Sequence, residues 1–135
     1  MDAIELIGRL LFVTLFLHSG VKHLTQRENY VAYARSSRAP APQAMVPLTG
    51  LMILAGGALV ALGVWADLGA LLIVAFLVPT AYFMHGFWRF DDPQQRQMQQ
   101  VHFMKNMSLA GASLALFALY AQCADTLWML TGSLF

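Results

Sequence analysis

Four histidines carry most of the near-neutral acid–base capacity of this 135-residue chain, and the hydropathy pattern sets all four at one level. His18 and His23 close the first apolar stretch, His85 closes the third, and His102 opens the fourth. Imidazole gives or takes a proton near pH 7 and can hydrogen-bond a carbonyl oxygen. Lys22, Arg89, Lys105 and Asn106 stand at the same helix ends. Helical spacing puts His102, Asn106 and Ser113 on one face, and His85 four residues before Arg89. Three readings follow for these eight ligand-binding candidates. They decorate a membrane interface, where such residue types are common; they bind a quinone or another polar-headed ligand; or they hold a metal or haem. No HExxH or CxxCH motif is present, so no metal is expected, and no catalytic residue can be named.

Glu5 and Arg9 form a second polar group. Four residues apart, they share a helix face and can pair. A lone charge in lipid is expensive, which favours pairing and an inward orientation. The pair is read as a structural ion pair near one membrane surface, with one wall of a polar cavity as the alternative.

The elements that position these residues are set by composition. Hydrophobic residues make up 59% of the chain and charged residues 11%, against about 25% charged in soluble domains. The net charge of +1 points to no nucleic acid. Cys123 is the single cysteine, so an internal disulfide is excluded. A bilayer core of about 30 Å needs about 20 helical residues. Four stretches reach that length: Ala3–Val21, Met45–Trp65, Leu68–Trp88 and Phe103–Ala124. The expected fold is all-α, a polytopic four-transmembrane-helix bundle forming a single domain over residues 1–135. The first stretch opens with Asp2 and Glu5 and lacks an A-x-A site, so it is expected to be retained rather than cleaved.

The connections differ in kind. Only Ala66 and Asp67 separate the second and third stretches, which predicts a tight hairpin with Asp67 as the cap. Gln26–Ser36 is expected as a short interfacial helix anchored by Tyr30 and Tyr33, and Pro40 and Pro42 end it. Asp92 as cap and Pro93 at the first position start the last helix well outside the lipid, through a solvated Gln94–Gln100 extension. Gly50, Gly56, Gly57 and Gly63, and the Gly111/Ala115 pair, suit close helix packing. Lys22, Arg27, Arg35, Arg38, Arg89, Arg96 and Lys105 all lie at the end of the two polar loops; the other end has no Lys or Arg outside the membrane, its nearest basic residue being Arg9 within the first stretch. Both loops are therefore expected in the cytoplasm and both termini outside. The tail Asp125–Phe135, with Leu127 and Trp128, is too short to cross and is expected to lie at the surface.

Four segments together resemble the DoxX family, including its DoxD-type members. They are GRLLFVTLFLHSGVKHL from Gly8; Pro47-Leu48-Thr49-Gly50 with Gly56-Gly57 and Gly63; PTAYFMHGFW, Pro79–Trp88; and HFMKNMSLAGASL, His102–Leu114. The resemblance implies a four-helix protein of the bacterial inner membrane. DoxD-type relatives are subunits of a thiosulfate:quinone oxidoreductase, and others are linked to redox stress or to maturation of membrane or periplasmic partners. Many relatives carry a glutamate between the opening glycine and the glycine pair of the second span; here that interval is Leu51, Met52, Ile53, Leu54 and Ala55. The chain is therefore expected not to be an enzyme by itself. The leading expectation is an accessory subunit of a quinone-linked redox system, with quinone as the one candidate cofactor. Its partners are then the lipid bilayer and a redox enzyme or further copies of the chain. A non-enzymatic scaffold or assembly factor and a small-solute carrier are the alternatives.

Overall fold

The computed structural model describes residues 2–123 and 129–135. Its elements are α1 (Asp2–Thr25), α2 (Arg27–Ser36), α3 (Pro42–Leu62), α4 (Ala66–Met84), a 3-10 turn at Phe87–Arg89, and α5 (Pro93–Cys123), with no strand among the described residues. The all-α expectation holds. Three helical stretches are long and apolar enough to cross a membrane: Ala3–Thr25, Pro42–Leu62 and Ala66–Arg89. The fourth expected span lies within α5, whose apolar half is interrupted by Lys105, Asn106, Ser113 and Tyr120.

Lipid-facing chemistry explains the surface. Leu11 is 72% exposed, and Ile4, Leu48, Leu51 and Leu62 also point outward. Such a surface is unfavourable in water and ordinary against lipid tails, where close packing rather than hydrophobic burial joins helices. The helices form a row in which α1 packs on α3, α3 on α4, and α4 on α5, with α2 lying on α3. Small residues make the close crossings. A Cβ at Gly20 would lie 2.9 Å from the Gly50 carbonyl oxygen, and one at Gly56 would lie 2.9 Å from that of Gly69. Gly111 instead meets nothing within 4 Å, and Ala115 is also exposed, so this pair packs against no helix among the described residues.

Several boundaries depart from expectation for local reasons. Pro42 does not precede α3 but opens it, where its missing N–H costs no helical bond. The α3–α4 turn falls at Gly63–Trp65, earlier than expected, because Gly63 takes a left-handed φ of 65° and the Val64 N–H closes back on the Leu59 carbonyl. Asp67 consequently sits inside the first turn of α4 and is not its cap. At α5 the expected start is realised: the Gln95 N–H donates to Asp92 Oδ2 at 2.8 Å.

Asp67 has a different task. Its Oδ2 accepts the backbone N–H groups of Leu134 (2.6 Å) and Phe135 (2.9 Å). The N–H groups of Leu130 and Thr131 donate to the Gly63 carbonyl, and Trp65 N–H donates to Thr131 Oγ1. Residues 129–135 thus strap across the α3–α4 turn; Leu127 and Trp128 lie outside the described residues. Bonds to a charged acceptor are worth about 1.5–3 kcal/mol each. Asp67→Ala should therefore speed proteolytic removal of the tail by about tenfold or more, whereas Asp67→Asn keeps an acceptor oxygen and should change it less. Equal cleavage of wild type and Asp67→Ala would show that the strap is not held there.

Candidate ligand site

The sequence of α5 places its polar residues at a period of seven. Gln99, Asn106, Ser113 and Tyr120 are all buried, on the stripe that faces the other helices. Ser113 satisfies itself by donating from Oγ to the Leu109 carbonyl. The other three open onto two different parts of the molecule.

At the loop end, α1, α3, α4 and α5 enclose a cavity of about 380 Å³ with α2 over it. That volume is within the range of small-molecule sites. Its walls are mostly apolar, with Phe16, Phe76, Leu77 and Phe83 prominent, and a few polar side chains converge on them. Pro79 lies in the α4 wall and deprives the Ala75 carbonyl of its usual helical donor. Residues of α1 (Phe16, His23) and of α5 (His102, Asn106) both line it, so the cavity lies where the two ends of the helix row face each other.

His23 enters from α1. Its Nδ1 is 2.8 Å from the Ser19 carbonyl oxygen. A carbonyl only accepts, so Nδ1 carries the proton and a neutral ring presents Nε2 as an acceptor. The ring packs on Tyr30 (4.4 Å between centroids) and meets the edge of Phe76 (5.9 Å). From α5, Asn106 is 6% exposed and His23 from α1 is 9% exposed. Both line the cavity, and neither the His23 Nε2 nor the Asn106 amide has a hydrogen-bond partner among the described residues. Lys105 lines it beside Asn106. His85 and His102 stack at 5.1 Å across the α4–α5 seam, and His85 donates from Nδ1 to Gln99 Oε1 at 2.9 Å.

Five of the eight sequence candidates therefore share this cavity: His23, His85, His102, Lys105 and Asn106. The other three do not line it. His18 is exposed on the outer face of α1, and Lys22 is half-buried outside the lining. Arg89 reaches back to donate to the carbonyls of Ser37, Phe83 and Tyr82. Two cavity-side residues escaped the sequence reading. Tyr30, expected as an interfacial anchor, packs on His23. Gln99, expected in a solvated extension, is 7% exposed and bonded to His85. Its spacing of three before His102 and seven before Asn106 was the available signal.

The opposite end holds the second polar group. Arg9 Nε lies 3.7 Å from Glu5 Oε1, and Arg9 is 4% exposed. A Cβ on Gly63 would come within 2.6 Å of Arg9 Nη1, so the guanidinium rests against the α3–α4 turn. The hydroxyl of Tyr120 is buried nearby with no hydrogen-bond partner among the described residues. This group lies at the far end of the bundle from the histidines and contributes nothing to their cavity.

Neither curated proteins nor solved structures gave a significant match to the chain. A family model described as DoxX matches residues 4–86, from α1 to the end of α4, so the fourth segment of the resemblance, His102–Leu114, lies beyond it. Matched over more than half its length by that model and built of apolar helices that contact the bilayer, the chain is a multi-pass membrane protein that belongs to the DoxX family.

Proposed function

We propose that the protein is an accessory subunit of a quinone-linked redox system in the bacterial inner membrane, and that it binds a quinone-type amphiphile in the loop-end cavity. One observation carries the reading. His23 and Asn106 are each more than nine-tenths buried, line one cavity and lack partners for their polar atoms. Polar atoms that open onto a mostly apolar cavity suit a ligand bearing both hydrogen-bond donors and acceptors. His23 Nε2 accepts from a hydroxyl, Asn106 donates or accepts, and Lys105 donates to an oxygen. The apolar walls suit a ring. A bound quinone would supply two-electron carrier chemistry; the chain itself binds and orients the head group and shields it from water.

The same reading takes residues 1–135 as one domain with α5 as a fourth span. From Gln99 to Tyr120, α5 rises about 32 Å, close to the thickness of a bilayer core. The basic loop end would face the cytoplasm and both termini the outside. A cytoplasm-only fluorescent reporter fused after Phe135 should be dark and alkaline phosphatase there active; the reverse would contradict this orientation.

Copurification in mild detergent, followed by solvent extraction and mass spectrometry, tests the function. Quinone recovered near stoichiometry, with or without a redox enzyme, is the expected result. A stoichiometric protein partner with no quinone would favour a scaffold or assembly factor instead, and recovery of neither would overturn the accessory reading.

A further inference from the structure

We propose that Arg38, Arg89 and Gln99 form a phosphate-binding site at the loop end, separate from the cavity above and independent of what that cavity binds. A second cavity, of about 440 Å³, lies where the end of α2, the 3-10 turn and the first turns of α5 meet. Tyr33, Phe83 and Met84 form the wall it shares with the first cavity. Its charged lining residues are Arg38 and Arg89, and no carboxylate lines it.

Each of the three residues offers donors. Arg89 is fixed by its bonds to the carbonyls of Ser37 (3.1 Å), Phe83 (3.2 Å) and Tyr82 (3.4 Å), and its guanidinium stands near the Tyr82 and Trp88 rings. Those bonds use three of its five N–H groups, leaving donors on a group already held in place. Gln99 accepts from His85 at its Oε1, which leaves its amide N–H groups without a partner among the described residues, on a buried residue that lines the cavity. Arg38 has no side-chain hydrogen bond among the described residues and adopts a φ of 59°. That position follows the end of α2, where the Ala39 N–H closes back on the Ala34 carbonyl, and glycine is the residue that takes it without strain. An arginine kept in a strained backbone state beside a cavity points to a use for its charge.

Two guanidinium groups and a buried amide, all donors, with no acid facing them, select an anion. Guanidinium forks match the oxygens of phosphate well. Trp88 and Tyr82 beside Arg89 suit the headgroup level of a membrane. The phosphate therefore belongs either to an anionic lipid or to a free ion, and the chemistry of the site is common to both.

The test uses the full chain in nanodiscs of phosphatidylcholine, alone or with phosphatidylglycerol, and in detergent with inorganic phosphate. Melting temperature and lipid retained in native mass spectra are read for wild type, Arg38→Gly and Arg38→Gln. Wild type should melt higher with phosphatidylglycerol and retain it. Arg38→Gly should melt at or above wild type in phosphatidylcholine, because glycine relieves the left-handed backbone, yet retain phosphatidylglycerol about tenfold less. Arg38→Gln should lose retention in the same way and serves if the glycine variant accumulates poorly. Response to phosphatidylglycerol but not to inorganic phosphate assigns a headgroup; response to inorganic phosphate, with displacement of the lipid, assigns a free ion. No response to either, or variants that retain lipid like wild type, would overturn the site.

Discussion

Arg9→Leu should remove most of the protein from the membrane. Arg9 is 4% exposed and its Nε stands 3.7 Å from Glu5 Oε1. Here Glu5, 17% exposed, would lose Arg9 as its counter-charge, and deleting one partner of a largely buried ion pair typically costs about 3–5 kcal/mol. That is a large share of the about 5–15 kcal/mol by which proteins are stable. Arg9→Lys keeps the charge but loses the planar group that rests on the Gly63 turn, and should fall between wild type and Arg9→Leu. The double variant Glu5→Leu/Arg9→Leu removes both charges and should recover much of the loss. Membrane abundance by blot and melting in detergent check the series. A double variant no more stable than Arg9→Leu would show that the pair is not the source of the cost.

Asn106→Leu should do the reverse, leaving stability near wild type while ligand binding falls. The residue is buried at the cavity and its amide bonds to no side chain or backbone group among the described residues, so a similar-sized apolar side chain removes no hydrogen bond between them. Loss of a ligand bond at such a site is worth about 1–3 kcal/mol, or about 10–100-fold in affinity. His23→Phe should behave similarly, since it keeps the packing with Tyr30 and Phe76 but discards Nε2. Quinone retained after purification, measured against melting temperature, separates the outcomes. A variant that unfolds without losing its ligand share would mean that Asn106 is a packing residue.

The apolar segments were legible because lipid removes the usual ambiguity of amphipathic patterns. Ala3–Val21 and Leu68–Trp88 fall on α1 and on the α4 stretch nearly as read. Turn positions were less so. Whether the α3–α4 hairpin turns at Gly63 or at Ala66 depends on a left-handed φ that Gly63 permits but does not announce. The histidine level was visible in the sequence as a level only. Which of its residues share a cavity depends on how α1 and α5 stand about the row, and that put His23 and Asn106 inside and left His18 outside. Asp67 shows the limit of local reading: its partners are Leu134 and Phe135, far along the chain, and nothing near Asp67 points to them. At Gln99 two signals compete: a glutamine-rich run suggests solvent, whereas its seven-residue spacing to Asn106 marks the inward face.

Photolabelling with a tail-bearing quinone that carries a photoreactive group on its head tests the central claim most directly. The protein is reconstituted in nanodiscs, irradiated and digested, and the labelled residues are mapped by mass spectrometry. Binding in the cavity predicts labels on its lining, in the stretches around Ser19–His23, Met45–Thr49 and His102–Asn106. It also predicts that excess unlabelled quinone suppresses them and that Asn106→Leu weakens them. Labels confined to lipid-facing side chains such as Leu11, Leu51 and Leu114, unaffected by competitor, would contradict it.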